Sequence, residues 1–401
     1  MIPLLNKQFF LLLHQGASIQ RWNEHFRPHK GFTELDKQAH KAFFMYVLHK
    51  LDDTADPQKL IEGCIFEYLH RVILTDIKPP VFHKMMDEKG KQINRWVLDQ
   101  LKCAFEDVEN GFFVRFEKYL LDENYASHEK RLINAAHYLA TSWEFDIVYR
   151  MSSSLYGIEE TKSQIESEIA AFFDLSAIQK YYGNYKLKNF TNLVGQLRLQ
   201  QRWARCTRAM ETSVMGHMLI VAILSYMFSL SINACKERLC NNFFGGLFHD
   251  LPEVLTRDIV SPVKNSVAGL DDIIKEMEDN AISKSILPLL PEEWHKEILY
   301  FMRDEFKSKY IDEGKIVFSD SVSINERFNR DEYKPIDGEI IRGSDHLSAY
   351  IEAALSIHYG ISSEPLIEGR NSIRSSYKDK YIAGINFGDY FETFDDYPNK
   401  V

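Results

Sequence analysis

The sequence has little cysteine, glycine and proline, and each shortage excludes a class of protein. Its 401 residues include five cysteines, an odd number, and none of them forms a Cys-x-x-Cys pair. A disulfide framework or a cysteine zinc site is therefore not expected, and this usage favours a cytoplasmic location. Nineteen glycines and twelve prolines are few for this length, whereas sandwiches and barrels need many Gly/Pro turns. We therefore predict an all-α protein.

The chain also lacks an excess of positive charge and an apolar run long enough to span a membrane. It has 48 Lys and Arg against 58 Asp and Glu, a net charge of −10. Binding to a nucleic-acid polymer needs a basic face, so no such partner is expected. The apolar stretch 214–230, interrupted by His217, falls below the roughly 20 residues of a spanning helix and is expected in the core. The apolar run 9–13 is interpreted as a structural helix, not a signal peptide.

Several short motifs occur twice in the same order. The pairs are the tripeptides 20–22 and 201–203, the apolar helices opened by His40 and His217, the segments 68–81 and 247–263, and the segments 136–144 and 344–352. Such self-similarity predicts two homologous helical domains. The predicted organisation is a first domain at 1–160, a linker at 161–184, a second domain at 185–385 and a tail at 386–401.

Apolar positions three and four residues apart predict individual helices in the second half. They lie at 214–230, 270–288, 292–309 and 338–359. The polar stretch 320–337 has no such period and is expected to be a loop. The segment between the two halves is expected to contain one connecting helix.

Two histidines and two aspartates of the second half form a pattern that suits a metal ion. They are His217, His249, Asp250 and Asp345, each on or at the end of a predicted helix. This set suits one divalent first-row metal and leaves two positions for water and substrate. A buried histidine taken alone is more often a core residue, so the ordered set carries the prediction. These ligands accept manganese, cobalt, iron or magnesium and do not choose among them.

The order His…His-Asp…Asp resembles the HD superfamily of metal-dependent phosphohydrolases. Within it, the second half is similar to the bacterial HD-domain 5′-deoxynucleotidases, through the stretches 201–203, 217, 249–258, 261–264 and 344–350. The positions that the resemblance implies are His217, His249, Asp250 and Asp345 for one divalent metal, Glu253 as the essential glutamate, and Arg202, Trp203, Asp258 and Lys264 for substrate contact.

Residue chemistry is compatible with these roles. A metal lowers the pKa of bound water, and Arg202 and Lys264 suit the charge that develops on phosphoryl oxygens. Pro252 is expected to end one helix and to place Glu253 in the next, where it would orient water or protonate the departing alkoxide. Glu253 could instead only balance a helix N-terminus. Trp203 could equally be a core residue, and Asp258 a cap. The remaining arginines nearby are read as solvated surface charges, namely Arg205, Arg208 and Arg257.

The first half keeps only fragments of this pattern. His40, His70 and His137 occupy the corresponding places, but Arg71 stands where the metal-binding aspartate should be. A guanidinium stays charged and would repel a divalent ion. We therefore predict a degenerate copy with a packing or regulatory role, with a three-histidine site as the alternative. The halves are expected to form an intramolecular pseudo-dimer, or the chain a homodimer.

The sequence thus predicts a phosphohydrolase that cleaves a phosphomonoester, with a (deoxy)nucleoside 5′-monophosphate as substrate. Cyclic-dinucleotide phosphodiesterases of the superfamily carry a Gly-Tyr-Pro signature that this chain lacks, yet a nucleotide phosphodiesterase stays the second hypothesis. A non-catalytic nucleotide sensor or scaffold is the third. In each case the expected partner is a small molecule, a nucleotide in the first two hypotheses, and no association with a membrane is expected.

Overall fold

Helices form nearly all of the regular structure, and the strands belong to two short hairpins. The computed structural model describes residues 5–25, 32–105, 108, 110–203, 206–257, 267 and 269–395. The helices of the first half are α1 (Lys7–Gln15), α2 (Glu34–Leu51), α3 (Pro57–Leu74), α4 (Pro79–Leu101), α5 (Phe112–Leu121), α6 (Ser127–Ser152), α7 (Ile158–Ala170) and α8 (Ser176–Gly183). The all-α prediction is confirmed at the level of fold class.

The second half continues the helical series. Its helices are α9 (Tyr185–Gly195), α10 (Val214–Ser231), α11 (Lys236–Phe248), α12 (Glu253–Thr256), α13 (Leu270–Ala281), α14 (His295–Met302), α15 (Ser321–Arg327), α16 (Gly338–His358), α17 (Glu364–Ser376) and α18 (Phe387–Glu392). The strands are β1 (Lys309–Asp312), β2 (Lys315–Phe318), β3 (Tyr381–Ile382) and β4 (Ile385–Asn386). Single 3₁₀ turns lie at Lys102–Phe105, Gln196–Leu199, Leu287–Leu289, Glu292–Trp294 and Asp331–Tyr333, and a π turn at Ile282–Ile286.

The predicted helix 292–309 is replaced by a shorter helix and a hairpin. Helix α14 ends at Met302, and β1 pairs antiparallel with β2, with Lys309 opposite Phe318. The two residues of the turn, Glu313 and Gly314, both have positive φ, at 46° and 77°. This is the backbone of a tight two-residue hairpin turn, whose twist matches that of the strands.

Three other segments are more ordered than expected. The loop expected at 320–337 contains α15, whose cap Asp320 accepts a hydrogen bond from the Ser323 amide at 2.8 Å. The segment 151–188, expected to contain one connecting helix, holds all of α7 and α8. In the expected tail, α18 buries Phe387 and Phe391 in the core. Local polarity misled the prediction because caps and a few apolar contacts suffice to order short helices.

Two apolar helices, α2 and α10, lie at the centre of the molecule and pack on each other. Every residue of α10 from Val214 to Leu230 is buried, so this helix has no polar face. By length and composition α10 could cross a membrane, but 94% of it is buried inside the molecule. The interpretation of this stretch as a core helix is confirmed.

The two halves share one hydrophobic core. Phe43 of α2 packs edge-on against Phe248, with ring centroids 5.1 Å apart, and the Tyr46 ring lies 5.0 Å from that of Phe244. The interface also has buried polar contacts, such as the Tyr226 hydroxyl that donates to Glu62 at 2.8 Å. The halves therefore pack directly against each other rather than joining only through their connection.

Gly216 allows a carboxylate of the first half to reach the start of α10. A Cβ at Gly216 would lie 2.9 Å from Oδ1 of Asp36. The Ser213 hydroxyl, which caps α10 by accepting from the Gly216 amide at 2.9 Å, also donates to Asp36. The cap that positions the first turn of α10 is thus held from both halves.

We predict that Gly246→Ala destabilises the protein, because its Cβ would lie 2.8 Å from Cα of Ala222 on the neighbouring helix. Backbone cannot yield as a side chain does, so overpacking here should cost about 1–3 kcal/mol. Urea unfolding followed by circular dichroism measures this. The control is Gly90→Ala in α4, where a Cβ meets only the Met86 methyl at 3.5 Å and helix propensity should add up to about 1 kcal/mol of stability. Equal stability of the two variants would contradict the prediction.

Candidate metal centre

The first predicted ligand, His217, is fixed in the opening turn of α10. It is the fourth residue after the cap Ser213 and is fully buried. Its Nδ1 lies 3.2 Å from the Ser348 hydroxyl, and its Nε2 lies 2.9 Å from Oδ1 of Asp345. Ser348 and Asp345 are both on α16, so α10 and α16 together set the orientation of this imidazole.

The second predicted ligand, His249, directly follows the last residue of α11 and is 5% exposed. Its Nδ1–H donates to the carbonyl of Gly246 at 2.8 Å. This hydrogen bond selects the tautomer in which Nε2 carries the free lone pair, as is usual for metal-binding histidines. Nε2 in turn lies 3.1 Å from Oδ2 of Asp250.

The structure brings three of the four predicted ligands together. One ligand atom each from His217, His249 and Asp345 lies within 4.8 Å of the others, and in the described part of the chain no other group of at least three His, Cys, Asp or Glu does so. The two imidazole centroids are 5.5 Å apart. Asp250 lies outside this group of three and contacts it through His249, so its role as a fourth ligand stays a prediction. Residues from three helical segments far apart in sequence thus converge on one point.

The charges at this point favour a bound cation. Burial alone would raise the pKa of Asp345, but the hydrogen bond and charge of His217 outweigh burial and lower it. Burial likewise opposes protonation of His249, yet the neighbouring Asp250 carboxylate raises the pKa of His249 to about 9. Two imidazoles and two carboxylates are the donors that suit a divalent first-row ion. These residues therefore fit such a metal.

Comparison with known proteins identifies this half of the chain. Residues 194–374 match the family model of the HD domain. This segment is therefore similar to the HD domain family, and it is called the HD domain below. The resemblance predicted from the sequence is thereby confirmed, and the matched range contains all four candidate ligands.

Two relatives are 5′-deoxynucleotidases. The chain is 28% identical over 111 residues to the one from Pasteurella multocida (strain Pm70), which covers 27% of this chain and 56% of the relative. It is 28% identical over 120 residues to the one from Vibrio atlanticus (strain LGP32), which covers 29% and 61%. The chain thus spans 56% and 61% of the length of these relatives.

Arg202 lies beside the ligands of the HD domain. Its guanidinium is 3.6 Å from Oδ2 of Asp250 and 4.0 Å from Oδ1 of Asp345. Trp203 follows it with a positive φ of 56°, and its indole N–H donates to Glu352 at 2.9 Å. The polar edge of Trp203 is therefore occupied within the protein, which leaves only its ring faces for a ligand.

Sequence reasoning missed Glu352, which organises one side of the site. This carboxylate is 4% exposed and accepts from Trp203, from Arg208 at 3.0 Å and from Thr212 at 2.8 Å. It stands seven residues after Asp345, two turns further along the same face of α16. The seven-residue spacing from Asp345 was the sequence signal that could have placed Glu352 near the site.

The prediction that Arg208 is a surface residue is wrong. This arginine was expected to be a solvated surface charge, but it is 5% exposed because it pairs with Glu352. Arg257 is exposed, as expected. Arg205, Asp258 and Lys264 lie outside the described residues, so the predicted substrate contacts of Asp258 and Lys264 stay predictions.

Glu253 lies next to the ligands, in the place predicted for it. Helix α11 ends at Phe248, and α12 begins at Glu253 directly after Pro252. Glu253 is 7% exposed and lines a cavity of about 390 Å³ together with His249 and Asp250. A carboxylate at this border between ligands and cavity can contact water or substrate.

The three-histidine alternative of the first half is not supported. His40 faces away, with Nε2 2.8 Å from the carbonyl of Thr191, and the described part of the first half has no metal-sized group of His, Cys, Asp or Glu. Counted from the hydroxyl caps Thr33 and Ser213, the residue that matches His217 is Lys37, not His40. His40 lies three residues further on, about 4.5 Å along the helix axis.

Proposed function

We propose that the HD domain is a metal-dependent phosphohydrolase that cleaves a phosphomonoester, with a (deoxy)nucleoside 5′-monophosphate as substrate. The observation that carries the proposal is the convergence of the buried His217 and His249 with the half-buried Asp345, beside a cavity lined by Asp250 and Glu253. The names of the two relatives supply the substrate class. The cavity, at about 390 Å³, lies in the size range of small-molecule sites.

His217, His249, Asp250 and Asp345 would hold one divalent ion. Such an ion supplies Lewis-acid activation of water and of the phosphoryl group. The buried imidazoles cannot turn away from it, because His249 is tied to the carbonyl of Gly246 and His217 is enclosed by α10 and α16. The chain thus pre-organises the donor atoms before substrate arrives.

Arg202 and Glu253 would act on the substrate itself. The guanidinium of Arg202, between Asp250 and Asp345, can donate two parallel hydrogen bonds to phosphoryl oxygens as charge develops there. Glu253 would orient the attacking water or give a proton to the departing alkoxide oxygen. Lys264 and Asp258 are proposed as further contacts to phosphate and sugar, on the strength of the family resemblance.

We infer further that the two halves are copies of one fold packed as a pseudo-dimer. Trp22 donates its indole N–H to Glu144 at 2.9 Å, as Trp203 does to Glu352. Both tryptophans have positive φ, at 59° and 56°. Each is preceded by an isolated β-bridge, Gln20 to Thr33 and Gln201 to Ser213. These paired contacts support the repeat read from the sequence.

A phosphate-release screen of the full chain tests the function. Nucleoside and deoxynucleoside 5′-monophosphates and nucleotide phosphodiesters are incubated with manganese, cobalt, iron or magnesium, and Asp345→Ala is run as the control. We expect metal-dependent release from monophosphates that Asp345→Ala abolishes, because Asp345 supplies one of the converging donor atoms. Cleavage of diesters alone would favour a phosphodiesterase. Nucleotide binding without turnover under every metal would favour a sensor.

A further inference from the structure

The first half encloses a cavity larger than the one beside the metal ligands. Its volume is about 570 Å³, against about 390 Å³ in the HD domain. Residues from α3, α4, α5, α6 and α7 line it, as do Arg21 and Trp22. These two residues match Arg202 and Trp203 in sequence, so the cavity occupies the place of a substrate site in a half that has lost its metal ligands.

Basic side chains stand where the HD domain has its metal ligands. Lys37 is the fourth residue after its helix cap, as His217 is, and its Nζ lies 2.5 Å from Nδ1 of His137. His137 precedes Glu144 by seven residues, as Asp345 precedes Glu352. Burial lowers the pKa of Lys37 well below its ordinary value, so this amine takes the place of a metal ligand without being a permanent cation.

Arg71 stays charged whatever its surroundings, and one of its nitrogen donors has no hydrogen-bond partner among the described residues. It follows His70 as Asp250 follows His249, and its guanidinium stacks over the Phe82 ring at 4.7 Å. Its nearest carboxylate oxygen, on Glu34, is 4.0 Å away. Within the described part of the chain the buried Nη1 has no hydrogen-bond partner. A buried donor without a partner is costly, so an acceptor brought by a ligand would be bound here.

Two arginines that line the cavity, Arg21 and Arg71, keep their positive charge. Burial first, and then Lys37, Arg71, Lys41 and Arg21, lower the pKa of His137 well below its ordinary value. Four acids also line the cavity, namely Glu24, Glu67, Asp76 and Glu168. Two acids at its base are paired with cations. Glu34 contacts Arg21 at 2.9 Å, and Glu67 contacts Lys41 at 2.8 Å. An anionic group would therefore gain from entering the base of the cavity, and a divalent cation would be repelled.

The walls suit the rest of a nucleotide. The aromatic rings of Trp22, Phe82, Tyr119 and Tyr138 line the cavity, and the amides of Asn134 and Gln164 lie among its polar groups. Ring faces bind flat heterocycles, and side-chain amides can donate and accept hydrogen bonds on a base edge. The volume of about 570 Å³ lies in the usual range for small-molecule sites.

We propose that this cavity binds a nucleotide-sized phosphate monoester with an aromatic base, and that Arg71 holds its phosphate without a metal ion. The site is separate from the HD-domain centre and does not depend on the hydrolysis proposed above. In the described part of the first half, no three His, Cys, Asp or Glu side chains lie close enough together to hold a metal ion. The ligand is therefore bound there and not hydrolysed.

The test is a calorimetric titration of the full chain, in EDTA, with each of the four deoxynucleoside 5′-monophosphates. We expect at least one to bind, and Arg71→Ala to weaken its binding about tenfold or more, as loss of a charge-assisted hydrogen bond predicts. Arg202→Ala, at the HD-domain site, should leave this affinity unchanged. Arg150→Ala, an exposed arginine on α6 outside the cavity lining, is the matched control.

A second variant guards against misfolding of Arg71→Ala. Gln164→Trp adds bulk at a half-buried position of the cavity wall without touching the buried cations, and should also abolish binding. Metal-dependent phosphate release should stay the same in both variants. Binding that survives both changes, binding lost on Arg202→Ala alone, or no binding by any of the four nucleotides would overturn the proposal.

Discussion

His249→Ala is expected to lose bound metal and hydrolysis together, whereas Glu253→Gln should keep the metal and lose turnover alone. His249 presents a buried Nε2 whose lone pair is fixed by the hydrogen bond from Nδ1 to Gly246, so its removal deletes one of three converging donor atoms. Glu253 lies outside that group of donors and beside it in the cavity. Loss of a general acid or base lowers kcat by about 10²–10⁴-fold.

Metal content by mass spectrometry and kcat for phosphate release separate the two effects. Glu278→Gln is the matched control, because Glu278 lines the same cavity but has no assigned role, and its kcat should stay close to that of the unmodified protein. Unchanged turnover in Glu253→Gln would refute the role of this carboxylate. Metal retained by His249→Ala would refute the ligand set.

His217, His249 and Asp250 could be predicted because they lie in a first helical turn or just after a helix end, where short sequence signals exist, whereas Asp345 lies inside α16. Ser213 marks the start of α10 and so fixes His217, and Pro252 marks the break that puts Glu253 at the start of α12. Such local signals survive without knowledge of the tertiary structure. The order of these motifs then carried the resemblance to the HD domain.

Glu352 and Arg208 could not be placed in the same way. These two residues form an ion pair at 3.0 Å although they are 144 positions apart in the sequence. A local sequence pattern cannot predict a contact between residues so far apart in the chain. A charged residue without a visible partner is reasonably assigned to the surface, since isolated buried charges are rare. The error about Arg208 therefore came from a partner that only the fold reveals.

The sequence alignment of α2 with α10 was wrong by three residues, for a different reason. Helix α2 is buried from Glu34 to Leu48, so its apolar residues show no single face from which to judge which side chain points toward a site. The sequence match paired two histidines, His40 and His217, whereas the helix caps pair Lys37 with His217. In an all-buried helix the cap, not the apolar pattern, sets the register.

Glu352→Ala is expected to destabilise the protein by about 3–5 kcal/mol, the usual cost of leaving a buried partner charge uncompensated. The charge left behind is that of Arg208, which is 5% exposed. Burial opposes ionisation of Glu352, but Arg208 and Arg202 outweigh burial and lower its pKa to about 2 from the ordinary 4.5. Its stabilisation is therefore complete above pH 4.5 and is lost as the pH falls toward 2.

Urea unfolding of Glu352→Ala, Glu352→Gln and Glu368→Ala at neutral pH tests this. Glu368 is an exposed carboxylate on α17, and its removal should change stability by less than about 0.5 kcal/mol. Glu352→Gln should fall between the other two, because the amide oxygen can still accept from the Trp203 indole while the charge opposite Arg208 is gone. A loss below about 1 kcal/mol in Glu352→Ala would contradict the role of this carboxylate. Glu352 also lies 3.9 Å from Arg202. We therefore expect any remaining activity to show a raised KM, because the guanidinium that we propose binds phosphate loses its support.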